Sequence, residues 1–195
     1  SYNSRPKVVK MYRIMIVDDE PNILRSLNRV LKKVDDWEIE TYDGAAAALK
    51  RAQTTSFDLV MSDYRMPEMD GVAFLNEIRN LQPEAIRIIL SGLTELQALL
   101  GAINEAEIFR YICKPWDDYE LIATMTQALA HRELLVENRR LADHVREQQQ
   151  ELHKRKSALE LLAEKHPALV EVEWAEDGSI IVDPDLLDEW SLGGK

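Results

Sequence analysis

With 195 residues, of which 46% are apolar and 30% charged, the chain can build one globular domain of ordinary size and a smaller appendage. Its apolar runs, such as Ile14-Met15-Ile16-Val17, are too short to cross a bilayer, and no secretory pattern follows the basic residues Arg5, Lys7, Lys10 and Arg13. Cys113 is the only cysteine, which excludes an intrachain disulfide, and the net charge of −11 argues against phosphate backbones as ligands.

The expectation is a cytoplasmic protein that engages neither membrane nor nucleic acid. Its charge is uneven: +4 over residues 1–13, −6 over 14–116, −2 over 117–165 and −7 over 166–195. Part of that acidity is suited to holding a divalent cation.

In chain order, short apolar runs alternate five times with amphipathic stretches. Strands are expected at residues 13–17, 37–42, 59–62, 87–90 and 109–113. These runs are continuous rather than alternating in polarity, as in strands covered on both faces. Residues 21–34 carry Ile23, Leu24, Leu27, Val30 and Leu31 at helical spacing, with Pro21 suited to a first turn. Further helices are expected at 44–52, at 72–81 after the turn Met69-Asp70-Gly71, and at 95–105 after Ser91-Gly92. Five βα units in about 120 residues predict an α/β fold, a five-stranded doubly wound parallel sheet with helices on both faces.

From Asp117 to Lys165 there is neither proline nor glycine, and the composition favours helix throughout. A heptad reading places Leu134, Leu141, Gln148, Arg155 and Leu162 at d, and Asn138, Val145, Leu152 and Leu159 at a. This predicts a homodimer through the 134–162 helix; the alternative is a long helix folded back on its own sheet domain. Beyond it, residues 169–174 alternate apolar and acidic side chains. The turn Glu176-Asp177-Gly178 and residues 179–182 complete a short β-hairpin, with a helical turn at 185–190. The organisation is therefore a domain at 12–131, a helical extension at 132–165 and a small hairpin segment at 166–195.

Ligands of doubly wound sheets bind at the carboxyl ends of the strands. There the sequence places Asp18, Asp19 and Glu20 after the first strand, Asp63 after the third, Ser91 after the fourth and Lys114 after the fifth. Clustered carboxylates repel one another unless a cation sits among them, and an oxygen-only donor set suits Mg2+. A carboxylate beside that ion, with a lysine and a hydroxyl nearby, can attack a phosphoryl group. Singly, each of these residues reads equally well as a helix cap or a turn; four at successive strand ends do not.

The motifs Ile16-Val17-Asp18-Asp19-Glu20, Ser62-Asp63-Tyr64-Arg65-Met66-Pro67 with Met69-Asp70-Gly71, Ser91-Gly92 and Tyr111-Ile112-Cys113-Lys114-Pro115 stand in this order over residues 12–131. The pattern resembles the receiver domain of bacterial two-component response regulators. The resemblance implies a flavodoxin-like receiver fold with Asp63 as phosphoacceptor, and Mg2+ held by Asp18, Asp19, Asp63 and the backbone carbonyl of Arg65. It also implies Ser91 and Lys114 on the phosphoryl group, a cis Lys114-Pro115 bond, and Tyr111 together with Ser91 as the switch. Arg65 and Leu93, each two residues past a motif position, are expected to shield the acyl phosphate from water.

The output is less legible. The preferred reading is a non-enzymatic response regulator, phosphorylated by a histidine kinase or phosphotransfer protein, that signals through its receiver face and a dimerising helix to a downstream protein. The alternatives are the N-terminal regulatory fragment of a larger signalling enzyme, such as a cyclic-dinucleotide enzyme or phosphatase, and a phosphotransfer intermediate without output. Trp116 after Lys114-Pro115 points weakly to receivers fused to such enzymes.

Overall fold

The computed structural model describes residues 10–95, 106–165 and two short strands at 173–174 and 180–181. Five parallel strands, β1 (Tyr12–Val17), β2 (Trp37–Tyr42), β3 (Leu59–Asp63), β4 (Ile86–Gly92) and β5 (Arg110–Lys114), lie side by side in the order β2-β1-β3-β4-β5. Helices α1 (Pro21–Leu31), α2 (Ala45–Ala52) and α3 (Gly71–Leu81) connect them, and α4 (Asp118–Lys165) follows the last strand. The expected helix at 95–105 lies outside the described residues apart from Glu95, which closes a 3-10 turn, Leu93–Glu95.

For β1, β3 and β4 the continuous apolar runs are explained by two cores, one on each side of the sheet, whereas the edge strands β2 and β5 are only partly buried, contrary to the expectation. Side chains alternate across a strand, so Ile14 and Ile16 of β1 face one side while Met15 and Val17 face the other. On the first side Met61, Ile88 and Leu90 meet Leu27 and Leu31 of α1 and Leu121, Met125 and Leu129 of α4. On the second side Val60 and Ile89 meet Ala48 of α2 and Phe74, Leu75 and Ile78 of α3. A strand buried on both faces has no polar side to show, and its backbone groups are satisfied by its neighbours.

Local signals set the element ends. Pro21 opens α1, where its missing N–H has no intrahelical role, and Asp70 caps α3 by accepting from Ala73 N at 2.8 Å. Helix α1 stops three residues short of the expected 34, because Lys33 N and Val34 N turn to Val30 O and Leu31 O in tighter i→i+3 bonds. Strands β3, β4 and β5 run on to Asp63, Gly92 and Lys114, so the chemistry-bearing residues are held in the sheet ladder itself.

At the amino end of the sheet, the first part of α4 is fixed by ion pairs. The Arg132 guanidinium lies 2.8 Å from Asp58 Oδ1 and donates to Glu84 O at 3.0 Å, while Asp58 Oδ2 accepts from Arg13 N at 2.8 Å. Arg139 pairs with the Glu84 carboxylate at 3.0 Å. Arg87 is buried and donates to the carbonyls of Ala85 at 2.6 Å and Ala106 at 2.9 Å. Burial pulls its pKa down from the ordinary arginine value, against the opposing charge of Glu107.

The chain divides into two compact units, residues 1–139 and 140–195. In the second, every side chain of α4 from Arg140 to Lys165 except Ala163 is exposed. The expected hairpin is present as two short antiparallel strands, β6 (Glu173–Trp174) and β7 (Ile180–Ile181), pairing Glu173 with Ile181 and Trp174 with Ile180. Its turn, the flanking residues and the expected helical turn at 185–190 lie outside the described residues.

Ile88 is one of the fully buried core residues of the sheet domain, on β4. Ile88→Ala should lower its unfolding free energy in urea by about 2–5 kcal/mol. The same truncation at Leu152, an exposed residue, should change the unfolding of that domain by no more than about 0.5 kcal/mol.

Candidate functional site

Parallel register brings the strand-end residues to one rim. Val17 pairs with Ser62, Asp63 with Leu90, Ser91 with Cys113 and Gly92 with Lys114, so residues nearly a hundred positions apart end level with one another. Asp18 and Asp19 follow directly on β1.

The centre of the site is the Lys114 ammonium. Its Nζ lies 2.7 Å from Asp63 Oδ1, 2.8 Å from Asp18 Oδ2 and 3.8 Å from Glu20 Oε1. The other oxygen of Asp18 accepts from Glu20 N at 2.8 Å. Asp18 and Asp63 are buried, and oxygens of Asp18, Asp19 and Asp63 all lie within 4.8 Å of one another. The Lys114-Pro115 peptide bond is cis, as expected.

Burial raises the pKa of Asp63 above the ordinary carboxylate value; the hydrogen bond from Lys114 opposes this, and the charges of Asp18 and Asp19 add to it. For Lys114, burial acts against the charged form, but hydrogen bonds to Asp18 and Asp63 outweigh it and the pKa is raised. Three carboxylates against one ammonium leave a local excess of two negative charges. An all-oxygen donor set with that excess fits a hard divalent cation such as Mg2+.

A second feature also fits an anionic, oxygen-rich guest. Ser91 is fully buried, and its Oγ has no hydrogen-bond partner among the described residues. A buried hydroxyl left unpaired is costly unless another state of the site supplies its partner.

The backbone around Asp63 is tightly fixed. Tyr64 N donates to Leu90 O, and Gly71 N to Tyr64 O, each at 2.8 Å, while Ser62 Oγ donates to Asp63 O at 2.9 Å. Gly71 is required there, since a Cβ at this position would lie 2.0 Å from Asp63 O. Glu68, in the intervening loop, adopts a left-handed φ of 68°, uncommon outside glycine.

Beside Asp63 opens a cleft of about 620 Å³, lined among others by Asp19, Tyr64, Arg65, Met66, Thr94 and Glu95. The exposed Arg65 guanidinium is ion-paired with the Glu95 carboxylate, whose second oxygen accepts from Gly92 N at 2.9 Å. Glu95 was not singled out by sequence: it reads there as the first residue of a helix, and only its place four residues after Ser91 hints at the rim. Leu93 is 74% exposed and does not line this cleft. Tyr111 is 41% exposed on β5, opposite Ile89. The sheet thus brings Asp18, Asp19, Asp63, Ser91 and Lys114 together, with Arg65 at the cleft and Tyr111 apart on the edge strand.

Comparison with known proteins agrees with this geometry. Residues 14–126 match the family described as response regulator receiver domain. The hydrogenase transcriptional regulatory protein HoxA of Bradyrhizobium diazoefficiens is 36% identical over 116 residues, 60% of this chain and 24% of its own length. The DNA-binding transcriptional regulator NtrC of Escherichia coli is 31% identical over 118 residues, 60% of this chain and 25% of its own length. The chain therefore spans about a quarter of the length of these curated relatives. Among solved structures, the signal receiver domain of an HD domain-containing protein from Pseudomonas fluorescens superimposes with a TM-score of 0.60 at 36% identity, covering 64% of this chain and 98% of that one. A receiver domain protein from Clostridium thermocellum gives 0.59 at 29% identity, covering 64% and 99%.

The raised pKa of Asp63 has a consequence for stability. A carboxyl whose folded pKa lies above its unfolded value stabilises the fold least once pH exceeds the folded value. Asp63→Asn should therefore raise Tm at pH 7 without divalent ions, and the difference should shrink as pH falls through the folded value and vanish below the unfolded carboxylate value. Added Mg2+ should raise Tm of the wild type more than that of the variant.

Proposed function

Since this chain belongs to the response regulator receiver domain family over residues 14–126, we propose that Asp63 is its phosphoacceptor and that a histidine kinase or phosphotransfer protein supplies the phosphoryl group. The observation that carries the reading is the Lys114 ammonium held against Asp63 and Asp18, on the same sheet rim as the buried hydroxyl of Ser91, which is unpartnered among the described residues. In this reading an Asp63 oxygen attacks phosphorus, the bond to the donor nitrogen breaks, and its electron pair leaves with the imidazole. Lys114 gives up part of its hold on the carboxylates to neutralise a phosphoryl oxygen, and Ser91 donates its hydroxyl to another. Asp18, Asp19, Asp63 and the Arg65 carbonyl would hold Mg2+, which when bound supplies Lewis-acid neutralisation of the phosphoryl charge.

The output follows from two surfaces. Ser91 moving towards the phosphoryl group would vacate space next to β5, into which the half-exposed Tyr111 could turn. On α4, Leu134, Leu141, Val145, Leu152, Leu159 and Leu162 are each about half exposed or more and stand at heptad spacing, which favours a homodimer through residues 134–162. Asn138 at an a position suits a two-stranded register, while Gln148 and Arg155 weaken the middle of the seam. The full-length activities of HoxA and NtrC belong to those proteins; for this chain the proposed partners are the phosphodonor, a second copy and a downstream protein.

Beryllofluoride with Mg2+, an acyl-phosphate mimic, should raise the Tm of the full chain by several degrees. Asp63→Asn should abolish that shift, and an equal shift in the variant would refute Asp63 as acceptor. Light scattering during size exclusion should give twice the 22.4 kDa chain mass, falling to one chain in a Leu152→Glu, Leu159→Glu double variant. A wild-type monomer with and without the mimic would refute the dimerising helix.

A further inference from the structure

The Glu95 carboxylate links the loop after β3 to the end of β4. One oxygen holds the Arg65 guanidinium, from the loop after β3; the other accepts from Gly92 N, at the end of β4, at 2.9 Å. Arg65 and Glu95 both line the cleft beside Asp63. The Glu95 side chain is only 12% exposed, whereas that of Arg65 is 75% exposed. The largely buried partner is thus tethered to the sheet, and the exposed partner is tethered to it.

Resting on Asp63 as the acceptor, we propose that Glu95 is a positioning residue that sets the lifetime of the acyl phosphate by holding Arg65 across the cleft. Hydrolysis requires a water oxygen to attack phosphorus roughly opposite the Asp63 oxygen. The P–O bond to Asp63 then breaks, its electron pair returns to the carboxylate, and the attacking water's proton passes to bulk water as inorganic phosphate leaves. The Arg65–Glu95 bridge opposes this in two ways. It occupies the open side of the site with a guanidinium, which cannot accept a proton. It also engages both oxygens of Glu95, a cleft carboxylate that could otherwise accept the proton from the water.

Independent charges would behave differently from a bridge. Removing the positive Arg65 would then slow attack on the anionic phosphoryl group, and removing the negative Glu95 would speed it. The bridge predicts the same sign for both. Arg65→Gln opens the cleft and frees Glu95; Glu95→Gln keeps an acceptor for Gly92 N but releases Arg65.

The test uses the full chain labelled with 32P-acetyl phosphate and Mg2+, following release of inorganic phosphate after the donor is removed. Arg65→Gln and Glu95→Gln should each speed release about two- to fivefold, the scale an exposed ion pair supports. The double variant should be no faster than the faster single variant. Arg65→Lys should return the rate to within about twofold of wild type, and raising the salt from 0.05 to 1 M should speed wild type but not the variants. Opposite shifts in the two single variants, additive effects, or no change would overturn the role of Glu95. Retained label in Asp63→Asn would instead overturn the assignment of the acceptor, which the rates of the Glu95 and Arg65 variants do not affect.

Discussion

The site depends on one unequal contest of charge. Three carboxylates stand at the carboxyl rim of the sheet and a single ammonium, Lys114, stands between two of them. Alone, the ammonium cannot balance the cluster, and burial raises the cost of keeping Asp63 charged. A site in this condition gains from a divalent cation and gains again from a group that lets Lys114 and Ser91 find better partners. The phosphoryl group proposed for Asp63 meets the second need, because it brings oxygens to the lysine and to the hydroxyl left unpaired among the described residues. The energetic reason for the chemistry is thus already present in the resting arrangement.

The rest of the sheet domain maintains that arrangement. Strands β1, β3 and β4 are covered on both faces, so their ends cannot slip relative to one another without exposing two cores at once. The backbone bonds of Tyr64 and Gly71 and the lack of a Cβ at Gly71 fix the loop that follows Asp63. Far from the rim, Arg132 ties α4 to Asp58 and Glu84, which orients the helix at the opposite end of the strands.

Much of this was legible in the sequence because it is written in local terms. Continuous apolar runs gave the buried strands, Pro21 and the turn Met69-Asp70-Gly71 marked helix starts, and the order of Asp18, Asp63, Ser91 and Lys114 along alternating elements placed the site by topology alone. Long-range side-chain contacts were not legible. Glu95 reads as an ordinary helical acid, and its pairing with Arg65 appears only when two loops separated by a whole βα unit meet. Arg132 likewise reads as one more basic residue on an amphipathic helix until Asp58 is found beside it. Leu93 was expected at the cleft because it follows Ser91 by two residues, but the 3-10 turn directs the cleft wall to Thr94 and Glu95 instead.

The most direct test of the account is chemical identification of the phosphorylated side chain. After phosphorylation with acetyl phosphate and Mg2+, borohydride reduces an acyl phosphate of aspartate to homoserine, which peptide mass spectrometry can locate. The account predicts homoserine at position 63 alone. Homoserine at position 18 or 19, or none at 63 despite phosphate incorporation, would contradict the assignment on which the mechanism rests.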